Sequence, residues 1–487
     1  MRKIPLVPVA VAMAAGIAVG HYATGMGTSA WLVLMMLPLV LTALLHTWRK
    51  ELNTHFFVPL LALLFFALGG TMCRMNDPQY DSRHWTTLLR PTPQSPSPSP
   101  HFLTLRLTDS PVPRERSWRT TARVLSVDGH PCHGETSLYL RKDSVAAGLR
   151  YGDTLLIHSY IDLEDRPLYT TGDHLMVTGR DSTSLRARSE ALRMKQLRRM
   201  QGGPMEPRYR GVAEALTLGW RGDMDKGLHL QFRDAGIMHL LCVSGLHIGL
   251  LGWIVGVLLF WVDKERRGRI VRGTTQLAAI WCFALLTGMA PATMRAALMF
   301  SLFIVNHMVG RRTDSLNILA LAALIMLTAK PMLLFDVGWQ LSFASVTAIL
   351  VSRPTISLFH NFAWSAAAVS IAATLGTMPI ALTVFHQVQP YFLIANIIVV
   401  PLATLLLASS LLYMAAPCEV TAGPAEWLFR GCDWITDGIA RMPHAVVSGL
   451  NPSPMTVVLL TMAIILLIVT INICILRYQR TKDSTPC

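Results

Sequence analysis

From Met238 to Val262 the chain contains no Asp, Glu, Lys or Arg, a run long enough to cross a bilayer as a helix at about 1.5 Å per residue. Its first part, His239–Leu251, reads HLLCVSGLHIGLL and holds two histidines, a cysteine, a serine and two glycines. Lipid alone selects none of these, because exposing polar groups to hydrocarbon is costly. Such a segment is expected to face a bundle interior or an aqueous path. It points to a chain that moves or processes a substrate within a membrane.

The rest of the chain fits that expectation. Of 487 residues, 52% are hydrophobic and only 15% charged, which excludes an ordinary soluble enzyme. Apolar runs fall near Ile4–Gly20, Ala30–Leu45, Phe56–Met72, Ile237–Val262, Thr274–Met289, Ala292–Val309 and Ser315–Thr328. Further runs follow at Val337–Val351, Ala363–Phe385, Tyr391–Ala416 and Met455–Ile475. The fold class expected is a polytopic α-helical membrane protein of about 10–12 spans. The first run, introduced by Met-Arg-Lys, is read as a retained helix: two similar runs follow it, and no small-residue cleavage context appears.

Orientation follows from the positive-inside rule. Arg2 and Lys3, then Arg49 and Lys50, then Lys264, Arg266, Arg267, Arg269 and Arg272, then Arg311 and Arg312, all fall on one side if the N-terminus is cytoplasmic. The segment between the third and fourth runs is then extracytoplasmic. The basic tail (Arg477, Arg480, Lys482) breaks the parity unless one segment is re-entrant or split, with Pro401 the candidate position.

The formal charge of +14 has a topological reading, through basic cytoplasmic loops, and a polyanion-binding one. Arg74 to Asp234 carries 24 Lys/Arg against 19 Asp/Glu, a net of about +5, permissive for nucleic acid without being diagnostic. Eight cysteines are scattered, mostly in or beside apolar runs. Only Cys132 lies well inside the external segment, so no disulfide framework is expected there. Cys418 and Cys432 are candidates to pair if their loop is extracytoplasmic; buried thiols account for the others.

The organisation predicted is an N-terminal membrane segment (1–75), a Pro/Ser-rich linker (76–100) containing PTPQSPSPSP, a β-rich domain (101–182), an amphipathic helical connector (183–236), a polytopic domain (237–476) and a short basic tail (477–487). In the third of these, FLTLRL, TTARVLSV, SLYLRK, DTLLIHSYIDL and HLMVTG read as five short strands. That number and size suit a small all-β, OB-like barrel, a fold that commonly binds single-stranded nucleic acid. Trp118, Tyr139 and Tyr160 are candidate stacking residues, and Arg119, Arg123, Arg141 and Lys142 candidate phosphate contacts; the bland alternative is a spacer module whose aromatics are core. Leu185–Met200 reads as a basic amphipathic helix lying on the membrane surface, and Val212–Gly219 as a second helix.

Within the polytopic domain, Ser244, Gly245 and His247 fall within one helical turn. His239 and His247, eight residues apart, lie within roughly 80° on a 3.6-residue helix. Gly245 and Gly249, four apart, would admit a close neighbour. The alternative is a packing seam with internally hydrogen-bonded histidines. Arg295 is the strongest single charge, following the helix-breaking Gly288–Pro291. At mid-membrane it costs about 2.5–3.5 kcal/mol on insertion scales and needs a partner, water or a passing phosphate; near the surface it would snorkel. Asp336 is its candidate ion-pair partner and shares a helix face with Gln340. Asn317, His386 and Asn396 add polar groups to other spans, with helix–helix hydrogen bonding as the alternative for each.

Five stretches carry a family resemblance: GWRGDMDKGLHLQFRDAGIMHLLCVSGLHIGLL (Gly219–Leu251), TGMAPATMRAALM (Thr287–Met299), RRTDSLNILALAALIMLTAKPMLLFDVGWQLSF (Arg311–Phe343), TLGTMPIALTVFHQ (Thr374–Gln387) and ANIIVVPLATLLL (Ala395–Leu407). In this order they resemble the ComEC family, the competence proteins that form the inner-membrane channel for transforming DNA. The resemblance implies a channel passing single-stranded DNA into the cytoplasm, working with an extracytoplasmic DNA receptor and with a cytoplasmic ATP-driven motor or DNA-processing proteins. A homo-oligomer is possible. Many members extend into a metallo-β-lactamase-like domain; no HxHxDH run occurs here, so the form expected is a pore without its own nuclease. No GxxxxGK[ST] loop, GxSxG elbow or HExxH appears. Neither a cofactor, a metal site nor a catalytic residue is therefore expected. The alternatives on the same scaffold are a transporter of a smaller anionic substrate and an intramembrane hydrolase using Ser244 or the histidines.

Overall fold

The computed structural model describes residues 4–23, 27, 29–36, 38, 40, 54–77, 81–89, 100–160, 168–170, 175–241, 243–264, 266–310, 313–358 and 361–483. Arg2, Lys3, Arg49, Lys50, Arg311, Arg312 and most of the proline-rich stretch lie outside them, as does the second half of the run expected at Ala30–Leu45.

Among the described residues the chain is mostly helical. The N-terminal pair is α1 (Leu6–Tyr22) and α2 (Thr54–Met75). After the β-rich domain come α3 (Leu185–Gln201), α4 (Pro207–Leu218), α5 (Lys226–Asp234) and α6 (Gly245–Leu258). The remainder is α7 (Arg266–Leu286), α8 (Pro291–Val309), α9 (Ser315–Ala329), α10 (Val337–Val351), α11 (Phe362–Phe385), α12 (Phe392–Ala415), α13 (Glu419–Ala440) and α14 (Pro454–Asp483).

Among the described residues five helices are long and apolar enough to cross a membrane: Phe57–Met75, Pro291–Val309, Trp364–Phe385, Phe392–Ala415 and Pro454–Ile475. Leu6–Tyr22, Gly245–Leu258, Ser315–Ala329 and Val337–Val351 are apolar but shorter. The chain is a multi-pass membrane protein, yet several expected spans are not full-length helices. Their ends are cut by capping: Asp314 accepts from the Leu316 N–H at 3.0 Å, and Asp336 from the Trp339 N–H at 2.6 Å. Pro401 does not split its segment. α12 runs through it unbroken, as membrane helices tolerate when neighbours cover the freed carbonyl.

Among the described residues three apolar cores organise the helices. α1 and α2 pack with α8, α9 and α10 around Met13, Ile17, Leu324 and Phe343. α6, α7 and α8 share a core at Ile248, Ile280 and Ala297. The connector helices α3–α5 pack with α12 and α13 around Met200, Leu216, Phe232, Leu406 and Phe429. Cys418 and Cys432 cannot pair: they stand at the cap and in the body of α13, 14 residues and therefore about 21 Å apart along one helix, against a disulfide Cα limit of about 7 Å.

The β-rich domain contains β1 (Pro100–Leu107), β2 (Val112–Pro113), β3 (Ser117–Val127), β4 (His130–Pro131), β5 (Glu135–Arg141), β6 (Asp153–Tyr160), β7 (Leu168–Thr170) and β8 (Leu175–Arg180). The main path is β7-β5-β3-β1-β6-β8, antiparallel except for β5 with β7, while β2 and β4 pair with β3. A short helix, 144–148, precedes β6. Alternation builds the core: Leu103, Leu105, Leu107, Val124, Leu138, Leu155 and Ile157 are buried. Trp85 is buried with them, and Gly134 leaves room for its indole, since a Cβ there would lie 2.4 Å from the ring. Packing of this domain thus begins before residue 101, inside the stretch read as linker.

The tightest helix crossing is α1 on α2. A Cβ on Gly16 would sit 1.9 Å from the Phe66 carbonyl oxygen, and one on Gly69 2.4 Å from that of Met13. Small residues here allow backbone-to-backbone contact. We expect Gly16→Ala to lower stability by about 1–3 kcal/mol through overpacking. Gly431→Ala, where a Cβ meets nothing within 4 Å, should be neutral or slightly stabilising. Thermal unfolding in detergent would show both; equal midpoints for Gly16→Ala and the native chain would contradict the crossing.

Candidate functional site

The opening segment is not one helix. Met238–Leu241 forms a 3-10 turn, and Ser244, in extended conformation, caps α6. His239 therefore lies exposed on a turn before the break, while His247 is buried inside α6 at 3% exposure. The helical relation expected between the two histidines does not hold, because Val243 and Ser244 between them are not helical. Ser244 donates its backbone N–H to His247 Nδ1 at 3.2 Å, and its Oγ lies 3.0 Å from the same nitrogen. A nitrogen that accepts an N–H carries no hydrogen, so the ring hydrogen sits on Nε2. That buried Nε2 has no hydrogen-bond partner among the described residues, a situation costing about 1–3 kcal/mol. Gly245 meets nothing within 4 Å, so it is not a packing glycine; Gly249 is, with a Cβ there only 2.9 Å from Phe300.

A second break follows α7. Gly288 and Met289 take left-handed conformations (φ 76° and 55°), and Pro291 starts α8, where its missing N–H is harmless. Arg295, in the second turn, is 7% exposed. It does not snorkel to an open surface. Its Nη1 lies 3.8 Å from Asp336 Oδ1, the oxygen that also caps α10. Gly338 makes room for the guanidinium: a Cβ there would be 3.4 Å from Nη2. One long contact to a half-exposed carboxylate leaves most of five donors unspent, and Nε has no partner among the described residues. Gln340 turns elsewhere, donating to the Leu334 carbonyl at 2.9 Å.

Sequence reading missed the residue that joins these pieces. Arg193 of α3 donates from Nε to the Leu218 carbonyl at 2.8 Å and pairs with Glu190 at 3.3 Å. It lies 5.9 Å from the Trp220 ring centroid. A Cβ on Gly288 would be 2.8 Å from its Nη1 and one on Gly219 3.8 Å from its Nη2, and both glycines have positive φ. Ser189, on the same helix, donates to the Leu285 carbonyl at 2.7 Å. The available signal was Glu190, the lone acid in LRARSEALRMKQLRRM, placed three residues before Arg193. α3 consequently turns Glu190, Leu197 and Met200 inward and leaves Leu185 and Leu192 exposed.

Glu214 of α4 was also missed. It is fully buried, and neither carboxylate oxygen has a hydrogen-bond partner among the described residues. Burial, then the charge of Asp223, pushes its pKa up to about 8; Arg210, 3.7 Å away, offsets this only in part.

Other candidates separate. Asn396 is buried in α12 with Oδ1 unpartnered among the described residues. Asn317 accepts the Leu6 N–H at 3.2 Å, a helix–helix contact that serves the end of α1. His386 is not within a span: it ends α11 in a left-handed conformation, exposed, and donates from Nδ1 to the Leu450 carbonyl at 3.2 Å. On the β-rich domain, Arg119 pairs across strands with Tyr139, Arg123 with Glu135 and Ser117 with Arg141, which puts Arg119, Arg123, Tyr139 and Arg141 on one outward face. Arg119 stands 5.8 Å over the Tyr139 ring. Trp118 belongs to the opposite face and packs on the core; Lys142 is exposed just past β5. The Tyr160 side chain lies outside the described residues.

Comparison with known proteins matches the family model described as Competence protein over residues 216–474, more than half of the chain. The chain is 28% identical over 277 residues to ComE operon protein 3 of Bacillus subtilis, covering 55% of this chain and 35% of that protein. It is 26% identical over 273 residues to Competence protein ComA of Neisseria gonorrhoeae (53% and 38%). A third relative, uncharacterized protein YcaI of Escherichia coli, is 24% identical over 309 residues (58% and 40%). The matched stretch thus spans well under half the length of these relatives. No solved structure matches.

Because folded Glu214 holds its proton more tightly than the unfolded chain, its contribution favours folding at low pH and is lost as pH rises from 4.5 through about 8. Thermal midpoints of the native chain and Glu214→Gln, compared across that window, should diverge as pH rises, with the native chain falling further. Parallel curves would contradict the assignment.

Proposed function

The chain belongs to the competence protein family, and from that premise we propose that it is a multi-pass inner-membrane channel passing single-stranded DNA into the cytoplasm. One observation carries the reading. Arg295 is a buried cation with an unpartnered Nε and a single carboxylate at 3.8 Å. It sits where two signature stretches, TGMAPATMRAALM and DVGWQLSF, meet. A tightly paired arginine would be a sealed structural element. A loosely paired one can exchange Asp336 for a passing phosphate and then release it, the balance that conduction requires. A continuous cationic lining would instead hold the strand through counterion release.

His247 adds a neutral donor, Nε2–H, to the same path, with Asn396 as a further polar group and His239 and Gln340 near its breaks. The β-rich domain is read as an OB-like, extracytoplasmic module. Its parallel β5–β7 pairing and the helix before β6 accord with that topology. Its outward face, with Arg119 over Tyr139 and Arg123, Arg141 and Lys142 alongside, offers the mixture of stacking and cationic groups that single strands favour. An extracytoplasmic DNA receptor would deliver the strand, and a cytoplasmic ATP-driven motor or DNA-processing protein would take it up.

The test is complementation of a markerless deletion in a naturally transformable host, scored for labelled donor DNA reaching the cytoplasm. His247→Ala and Arg295→Ala should reduce cytoplasmic label to background while donor DNA still reaches the outer face. Normal transformation in both variants, at normal protein levels, would contradict the assignment.

A further inference from the structure

A cleft of about 560 Å³ opens between the β-rich domain and α3. One wall comes from Arg150 and Tyr151, before β6; the other is the outer side of α3, with Arg188, Lys195, Arg198 and Arg199. Its acids are already engaged. Asp181 accepts the backbone N–H groups of Thr183 and Ser184 at 3.1 and 3.2 Å, and Glu190 pairs with Arg193. Arg180, also on the wall, is bound to Asp153. Arg150, Arg188, Lys195 and Arg198, by contrast, form no side-chain ion pair among the described residues, and all four are exposed. Arg188, Lys195 and Arg198 recur at intervals of seven and three, so they line one side of the helix over about 15 Å. Four mutually repelling cations in one groove are unfavourable for the protein alone. They become favourable when a polyanion lies along them.

The position of the cleft is as informative as its charge. α3 is fastened on its inner side, through Arg193 and Ser189, to Leu218 and Leu285 and against Gly219 and Gly288. The cleft therefore lies on the back of the helix that holds both signature turns. The geometry points to the cleft as the entry site for the sugar-phosphate backbone of single-stranded nucleic acid, gripped between Arg150 and the Arg188–Lys195–Arg198 row and handed toward the Gly288 turn. This rests on the channel reading above and adds to it a binding site distinct from the outward face of β3 and β5. A strand bound here is read by charge along its backbone, with no base pockets required, so sequence preference should be weak.

The full chain, in nanodiscs of zwitterionic lipid, would be titrated with a fluorescent oligothymidylate across a salt series. Arg188→Gln/Lys195→Gln/Arg198→Gln should weaken binding at least about tenfold and make the slope of log affinity against log salt shallower by about 2, at about 0.7 per lost phosphate contact. Arg150→Gln, on the opposite wall and independent of α3, should shift the slope in the same direction by about 0.7. Arg119→Gln/Arg123→Gln/Arg141→Gln serves as the comparison on the outward β face. Native-like oligonucleotide affinity and slope in both cleft variants would overturn the site, whatever the β-face variant does. If the cleft variants lose binding to anionic vesicles and keep oligonucleotide binding, the row serves lipid headgroups and the proposal fails. Absence of oligonucleotide binding by the native chain would overturn the channel reading itself.

Discussion

One guanidinium fixes the geometry on which the candidate path depends. Arg193 closes the end of α4 at Leu218, sits over Trp220, neutralises Glu190, and occupies the space that Gly219 and Gly288 leave open. Both glycines are in the left-handed region, where a side chain is strained. Two turns far apart in sequence are thereby held against one helix that also carries the basic cleft. The β-rich domain is tied by separate contacts to the connector, Lys226 of α5 with Glu115, and to the turn after α9, Lys330 with Glu135 at 3.7 Å. These are exposed pairs of small energetic weight; Arg193 and its partners are largely enclosed and set the register.

The membrane then determines what the breaks must look like. A helix end within an apolar slab leaves N–H and C=O groups that only protein or a wet path can satisfy. Asp314 and Asp336 cap α9 and α10, and Ser244 begins α6 with His247 folded back onto its N–H. Each break brings a polar residue to a helix end that a continuous helix would not have. Among the buried side-chain atoms without a hydrogen-bond partner in the described residues are His247 Nε2, Arg295 Nε and Asn396 Oδ1. On the proposed channel reading they are the groups that would meet a polar substrate crossing the bundle. Capping thus touches the candidate path at two places: His247 is folded onto the start of α6, and Asp336, which caps α10, faces Arg295.

How much of this was visible in the amino-acid order depends on the type of signal. Period-two alternation marked β1, β3, β5, β6 and β8, and apolar runs marked the membrane helices. The Arg295–Asp336 contact was foreseeable, since a buried cation needs an anion and Asp336 stood in another apolar region. Hydrophobic periodicity was silent inside the uncharged, mostly apolar run at 238–262, because little there distinguishes a helix from a turn except the Ser244 cap. Pro401 and His386 misled in opposite directions. Proline inside a membrane helix is tolerated, whereas His386 lies beyond the last helical residue. Trp85 was hidden because its partner, Gly134, is distant in sequence. Arg193 and Glu214 were hidden because a helix rich in arginine, and a lone glutamate, look like solvated surface until their neighbours are known.

On the proposed channel reading, the strand passes the broken-helix seam rather than the outer surface of the bundle. Photo-crosslinking during uptake tests it directly, with a probe at Val243, beside Ser244, a second at Met294, beside Arg295, and a third on the outward side of α14 at Leu466, 67% exposed. Adducts with transiting DNA are expected at Val243 and Met294 and none at Leu466. DNA adducts at Leu466 with none at the two seam positions, in a functional channel, would contradict it.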